Sequence, residues 1–190
     1  MNTSSKNNFG KDGVRYAMTM DTRRCVGCNA CVFACKAENA LPAKGFRDWI
    51  TYTVKGNFPA LSELIRSERC NHCSNSPCTT NCPTGASHVG PGGIVLVDRG
   101  MCTGCKACIA SCPYDARYVH SDGFVDKCTF CIHRVKRGLD PACVSACPTK
   151  ALEFGDLNDP DSDVSKLLRQ RKHTVLKPEK GLDPNLFFLL

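Results

Sequence analysis

The chain has 190 residues, 42% of them apolar and 16 of them cysteine, with a formal charge of +7. That length suits one or two small domains. No apolar run exceeds six residues, against the ~20 that cross a bilayer as a helix, and no arginine-rich stripe with interleaved aromatics marks a nucleic-acid surface.

Residues 1–15 read as a polar N-terminal extension; Met1 to Lys11 has no apolar segment, so it is not expected to act as a secretory signal. Tyr16 to Asp21 (YAMTMD) reads as a short strand. Arg23-Arg24 has no hydrophobic stretch behind it and is not read as a twin-arginine signal, so a partner would have to carry the chain out of the cytoplasm. Cys25, Cys28, Cys31 and Cys35 follow, and Cys31 to Asn39 is expected to be helical. The insert 41–69 holds the only tryptophan, Trp49, and the alternating run Trp49 to Val54, expected to form a small hairpin or sheet over the core. Cys70, Cys73, Cys78 and Cys82 form the second group, with a strand expected over Ser87 to Val89.

Ile94 to Asp98 (IVLVD) is expected to be the strand before the third group, Cys102, Cys105, Cys108 and Cys112, with a helix over Cys108 to Cys112 and a strand over Arg117 to His120. The fourth group is Cys128, Cys131, Cys143 and Cys147, followed by a strand over Leu152 to Phe154. Ser162 to Arg171 has a helical pattern capped by Asp161 or Ser162, with Val164, Leu167 and Leu168 as its apolar residues. Beyond it, Lys172 to Leu190 reads as an extended basic arm. Its end, Phe187-Phe188-Leu189-Leu190, is too apolar for a free tail, and we expect it either to dock on a partner or to fold back on its own core.

The first and third cysteine groups read C-x2-C-x2-C-x3-C, the spacing of bacterial ferredoxins that hold [4Fe–4S] clusters. The other two widen one gap and keep the opening C-x2-C and closing C-x3-C. Three cysteines two residues apart form a tight loop around a cluster, with backbone N–H groups free to face its sulfides. The fourth, a helical turn on, reaches the other cluster of a pair. Gly27, Ala30, Gly104 and Ala107 keep the loops small. Pro83, Pro113 and Pro148 follow the last cysteine of three groups; Lys36 takes that place in the first. A disulfide scaffold would not need this repeated spacing. Tetrahedral zinc needs two cysteine pairs, whereas these loops supply three ligands and a distant fourth.

Four thiolates per cluster make four clusters with no cysteine left over for catalysis. An oxidised cluster with its thiolates carries about −2, which turns the formal +7 into roughly −1 for the loaded protein. The clusters also replace part of the apolar core, so the metal-free chain is expected not to fold stably. Asn71, His72, Thr103, Lys106 and Thr129 lie beside ligands and are candidates for tuning the clusters, each more ordinarily a turn or surface residue. His88, His120, His133 and His173 share no spacing and are expected to ligate nothing.

The motifs Cys25-Val26-Gly27-Cys28, Cys70-Asn71-His72-Cys73, Cys82-Pro83-Thr84-Gly85-Ala86, Cys112-Pro113-Tyr114-Asp115-Ala116-Arg117-Tyr118 and Lys127-Cys128-Thr129-Phe130-Cys131 carry a family resemblance. From Tyr16 onward the chain resembles the four-cluster iron–sulfur electron-transfer subunits of the complex molybdopterin oxidoreductases, the dimethyl-sulfoxide-reductase family, and most of all those of the polysulfide reductase type. Related nitrate reductase subunits replace one cysteine of the third group; this chain has all four.

The resemblance implies an α+β fold of two ferredoxin-like modules with pseudo-two-fold symmetry, a small β insert and an extended C-terminal arm. Residues 16–40 and 121–155 would form one module, 70–120 the other, and 156–190 the C-terminal helix and arm. It implies Cys25, Cys28, Cys31 and Cys147 as ligands of one cluster, and Cys128, Cys131, Cys143 and Cys35 of a second. Cys70, Cys73, Cys78 and Cys112 would hold a third, and Cys102, Cys105, Cys108 and Cys82 a fourth.

The resemblance further implies a relay of single electrons in anaerobic respiration. Its ends would be a molybdenum- or tungsten-pterin catalytic subunit and an integral membrane subunit that reacts with quinone. The chain would be peripheral to the membrane, on the periplasmic face if exported with a signal-bearing partner, otherwise on the cytoplasmic face. It would have no substrate site and would not be an enzyme by itself. A soluble polyferredoxin, or the iron–sulfur subunit of a hydrogenase or formate-oxidising complex, is the alternative.

Overall fold

The computed structural model describes residues 13–190, so most of the expected N-terminal extension lies outside the described residues. β1 (Tyr16–Asp21) is buried along its whole length, as a strand covered on both faces must be. It pairs antiparallel with β8 (Leu152–Asp156) on one side. On the other it pairs parallel with β10 (Leu186–Leu189), whose outer neighbour is β9 (His173–Thr174). The last strand therefore joins the first, with Met18 in register with Leu186.

The C-terminal arm thus folds back on its own core, and docking on a partner is not what buries it. Leu186, Phe188 and Leu189 are fully buried. Before reaching the sheet the arm runs past the second cysteine group. Ser74 N–H donates to Asp183 O at 2.9 Å, and Asn185 Nδ2 donates to His72 O at 2.6 Å.

Three two-stranded sheets complete the β content of the described residues. β2 (Asp48–Asn57) and β3 (Ala60–Arg69) are the hairpin expected of the insert, in register from Asp48↔Arg69 to Asn57↔Ala60. Its base is buried and its tip exposed, with Trp49 and Ile50 packed on the core. β4 (Ser87–Val89) pairs with β5 (Val95–Val97), and β6 (Tyr118–Val119) with β7 (Val125–Asp126).

The helices are short because each is a cluster-loop exit: α1 (Ala30–Glu38), α2 (Pro77–Thr80), α3 (Ala107–Ala110), α4 (Ile132–Val135) and α5 (Ala142–Ser145). The exception is α6 (Asp163–Gln170), which packs on β1 and β8. Ser162 caps it: Oγ accepts from Ser165 N–H at 3.1 Å, an arrangement that contributes about 1 kcal/mol. Val164 is its fully buried residue, while Leu167 and Leu168 are half-buried.

Candidate iron–sulfur centres

The cysteine loops take two backbone forms. In the first and third, Gly27 and Gly104 both have φ of 67°, and Asn29 and Lys106 follow with φ of 59° and 65°. These left-handed residues turn the chain so that α1 and α3 begin at once, with Cys31 and Cys108 on their first turns. A Cβ on Gly27 would lie 2.6 Å from Tyr52 Oη, and one on Gly104 would lie 2.3 Å from Gly123 O. In the second and fourth loops, His72 and Phe130 hold φ of 44° and 49° between the opening cysteines, a strained state for bulky residues.

The structure gathers the cysteines into quartets drawn from distant groups. One cavity is lined by Cys25, Cys28, Cys31 and Cys147, another by Cys35, Cys128, Cys131 and Cys143, and a third by Cys82, Cys102, Cys105 and Cys108. Cys73 sits among Cys70, Cys78 and Cys112; burial first, then these neighbours' charges, push its thiol up to about 12. Burial likewise pushes Cys128 up to about 12 and Cys143 up to about 11. Free thiols so placed stay protonated, and only a bound metal displaces those protons.

All sixteen cysteines are free, so the disulfide framework is not built. Among the described residues no three or more His, Cys, Asp or Glu close around the position of a single metal ion. The thiols surround cavities, as an extended cluster requires. The surroundings fit an anionic, sulfur-rich group. Backbone N–H groups of Ala151, Ser87, Val125 and Phe130 donate to the Sγ atoms of Cys147, Cys82, Cys102 and Cys128 at 3.2–3.4 Å. Buried donors on Arg69 (Nε), Arg117 (Nε and Nη1), Asn71 (Nδ2) and His72 (Nε2) have no protein partner, which a buried group rarely tolerates.

Two families, each described as a 4Fe-4S dicluster domain, match residues 24–86 and 61–157. A tetrathionate reductase subunit of Salmonella typhimurium is 41% identical over 191 residues, covering 98% of this chain and 76% of that protein. A polysulfide reductase chain of Wolinella succinogenes is 42% identical over 179 residues, covering 92% of this chain and 94% of that protein. The NrfC protein of Escherichia coli is 43% identical over 180 residues, covering 93% and 81%. This chain therefore belongs to the iron–sulfur subunit family of the complex molybdopterin oxidoreductases. Its cofactors are four [4Fe–4S] clusters.

In this iron–sulfur subunit the quartets differ in exposure. Cys28 of the first quartet and Cys105 of the fourth are exposed. Every thiol of the quartet Cys35, Cys128, Cys131 and Cys143 is buried, and so are Cys70, Cys73 and Cys78.

Of the tuning candidates, Asn71 and His72 are fully buried among the clusters. His72 Nδ1 accepts from Val95 N–H at 3.1 Å. Burial, then the charges of Lys127, Arg117 and Arg69, hold its imidazole well below the usual histidine range. Thr103 and Lys106 stand exposed on the rim of the fourth quartet, and Thr129 is half-buried at the second. His88, His120, His133 and His173 make ordinary contacts, His133 with Glu38 at 2.7 Å.

Sequence reasoning missed three cations that the iron–sulfur subunit holds in its interior beside the thiols. Arg69 Nη1 donates to Cys143 Sγ at 2.8 Å, and Arg117 Nη2 to Cys78 Sγ at 2.8 Å. Lys127 Nζ donates to Val95 O and, at 2.6 Å, to Cys128 O. Arg69 and Lys127 directly precede Cys70 and Cys128, a signal present in the sequence. Arg24 holds the same place before Cys25 and is exposed, so adjacency alone does not identify a buried cation.

Proposed function

We propose that this subunit relays single electrons along four [4Fe–4S] clusters. The relay runs between a molybdenum- or tungsten-pterin catalytic subunit and a quinone-reactive membrane subunit in anaerobic respiration. The observation that carries the reading is the four thiol quartets, two of which bring a cysteine to the surface (Cys28 and Cys105) while the other two expose none. The relatives carry it to a reductase complex, being named as parts of tetrathionate and polysulfide reductases.

The ligand sets are those of the four quartets: Cys25, Cys28, Cys31 and Cys147; Cys35, Cys128, Cys131 and Cys143; Cys70, Cys73, Cys78 and Cys112; Cys82, Cys102, Cys105 and Cys108. When bound, each cluster supplies a one-electron store. The chain's own residues set how that store behaves. Backbone N–H groups stabilise the thiolates' negative charge, and burial of the middle quartets keeps water from the path.

Two ferredoxin-like modules with a pseudo-two-fold relation account for the matched loops: Gly27 with Gly104, and His72 with Phe130. The domain bounds follow as 16–40 with 121–155, 70–120, the hairpin insert 41–69 and the C-terminal segment 156–190. Val26, Tyr52, Val54 and Leu61 are each more than half exposed, and Tyr52 Oη donates to Gly27 O at 3.1 Å beside the first quartet. An apolar rim at one end of the relay supports a protein partner there. No described helix is long and apolar enough to cross a membrane; attachment would come through a membrane subunit, on the periplasmic face if a signal-bearing partner exports the chain and otherwise on the cytoplasmic face. The subunit itself is non-catalytic, because each cluster takes four cysteine ligands and keeps no open iron site.

The test is purification of the native complex in mild detergent, with iron, molybdenum and tungsten assayed per chain. Four iron atoms per quartet, stoichiometric molybdenum or tungsten and a large partner are expected. Full iron with neither metal and no partner would make the chain a free polyferredoxin.

A further inference from the structure

We propose that Arg69, Lys127 and Arg117 are redox-positioning cations, one between each successive pair of clusters, each raising the reduction potentials of both its neighbours. The inference rests on the cluster assignment proposed above.

Each cation lies between two quartets, the arginines linked to them by hydrogen bonds and Lys127 by its charge. Arg69 binds Cys143 of the second quartet directly and Ser67 Oγ through its other terminal nitrogen; Ser67 Oγ lies 3.4 Å from Cys31 Sγ of the first. Arg117 repeats the device at the other end. It binds Cys78 of the third quartet and Ser87 Oγ at 2.9 Å, while Ser87 N–H donates to Cys82 Sγ of the fourth at 3.3 Å. The Cys108 thiol of the fourth quartet also acts on the Arg117 charge. Lys127 stands in the central gap, its Nζ donating to Val95 O and Cys128 O; burial lowers its pKa, while the charges of Cys70 and Cys78 of the third quartet and Cys128 of the second favour its charged form. The order along the row of clusters is first, Arg69, second, Lys127, third, Arg117, fourth.

These cations are 1%, 1% and 5% exposed, and a buried cation is costly unless paired. Protein carboxylates supply that pairing only in part, at Arg69. Asp48 Oδ2 lies 3.8 Å from Arg69, and among the described residues neither Lys127 nor Arg117 makes an ion pair with Asp or Glu. Neutral thiols do not supply the rest. The clusters with their thiolates do, and their negative charge grows on reduction. A fixed cation in a poorly screened interior therefore favours the reduced form of each cluster beside it. It also offsets the repulsion between two reduced neighbours, which a relay must pass through whenever a second electron enters. The arginines add N–H···S bonds, a further pull in the same direction. Lys127 binds carbonyls and acts by charge alone.

The experiment is an EPR-monitored redox titration of the full chain in its native complex, with iron counted per chain. The variants are Arg69→Gln, Lys127→Met and Arg117→Gln. Each is expected to lower two of the four potentials. The drop corresponds to at least a tenfold change in the reduced-to-oxidised ratio, about 59 mV for a one-electron couple. Arg69→Gln and Arg117→Gln must move different pairs, and Lys127→Met one member of each. Arg69→Lys, which keeps the charge, is expected to recover at least half of its drop. With iron unchanged, potentials that stay put, or that all move together, would overturn the proposal. Loss of iron in all three variants would also overturn it, in favour of a purely structural role. Failure of the cluster assignment would show separately, as fewer irons or a different EPR signature in the unmodified protein.

Discussion

The imidazole of His72 lies against the ring of Phe130, with centroids 3.7 Å apart and planes 26° from parallel. Each residue stands between the opening cysteines of its group, at a left-handed φ that neither ring prefers. Phe130 also meets Phe154 edge-on at 5.3 Å. The stack joins the loops of the two buried quartets, so its loss should act on both. Phe130→Ala is expected to cost about 3–5 kcal/mol and to release iron from the middle of the relay. Iron per chain checks this; full iron content in the variant would show that the stack does not hold the loops.

Gly27 and Gly104 share one φ but not one neighbour. A methyl at Gly27 meets the end of the Tyr52 side chain, which can swing away, whereas at Gly104 it meets the backbone oxygen of Gly123, which cannot. Both alanine variants carry the left-handed penalty of about 1–2 kcal/mol. Gly104→Ala should add a clash that Gly27→Ala escapes, so it should lose more cluster absorbance on mild heating. Equal losses would mean that the Gly123 turn gives way.

Removal of residues 186–190 takes away an inner strand of the four-stranded sheet. Burial of Leu186, Phe188 and Leu189 contributes ~1.5–3 kcal/mol each, together comparable with a whole domain's stability of ~5–15 kcal/mol. The truncated chain is expected to fail to assemble its clusters. A truncated chain with full iron that merely lost its partner would restore the docking role for the arm.

Acid should act through Asp126. Burial pushes its carboxyl up, but bonds from Arg47 at 2.8 and 2.9 Å and from Tyr118 Oη at 2.7 Å, with the Arg47 charge, hold it below the usual carboxylate range. Because the folded value is the lower one, this stabilisation is complete above about pH 4 and fades as pH falls through the folded value. Asp126→Asn leaves Arg47 buried and unpaired, at a cost of about 3–5 kcal/mol. Decay of cluster absorbance against pH should be faster for the variant at neutral pH, with the gap closing in acid. A constant gap down to about pH 2, below the usual carboxylate range, would assign the effect to packing.

Local features of this fold were readable from the chain. YAMTMD gave away β1 by its bounds, the alternation in WITYTV announced a hairpin or small sheet, and Asp161 or Ser162 announced the start of α6. Each depends on neighbours within a few residues. The parallel pairing of β10 with β1 depends on residues that meet only in the folded molecule, and Phe187 to Leu190 suits a docking segment and an inner strand alike. The buried cations were illegible for a different reason. Arg69, Arg117 and Lys127 look like surface residues until their negative partners are counted, and those partners belong to the cofactor rather than to the chain. Asn71 and His72 were singled out for lying between ligands, but Thr103 and Lys106 lie between ligands too and stand exposed, so position alone did not tell which candidates the fold buries.

Nesting orders the assembly of this molecule in time. The fourth quartet spans residues 82 to 108 and the third 70 to 112, inside the second, 35 to 143, and the first, 25 to 147. On the ribosome the inner pair can close while the tail is still being made. The first three cysteines to emerge must wait longest for their fourth, and the sheet beneath them closes only with the last residues. The earliest thiols made are thus the last to be protected, which makes the nascent N-terminal loop the point where oxygen or a stray metal ion can intercept synthesis.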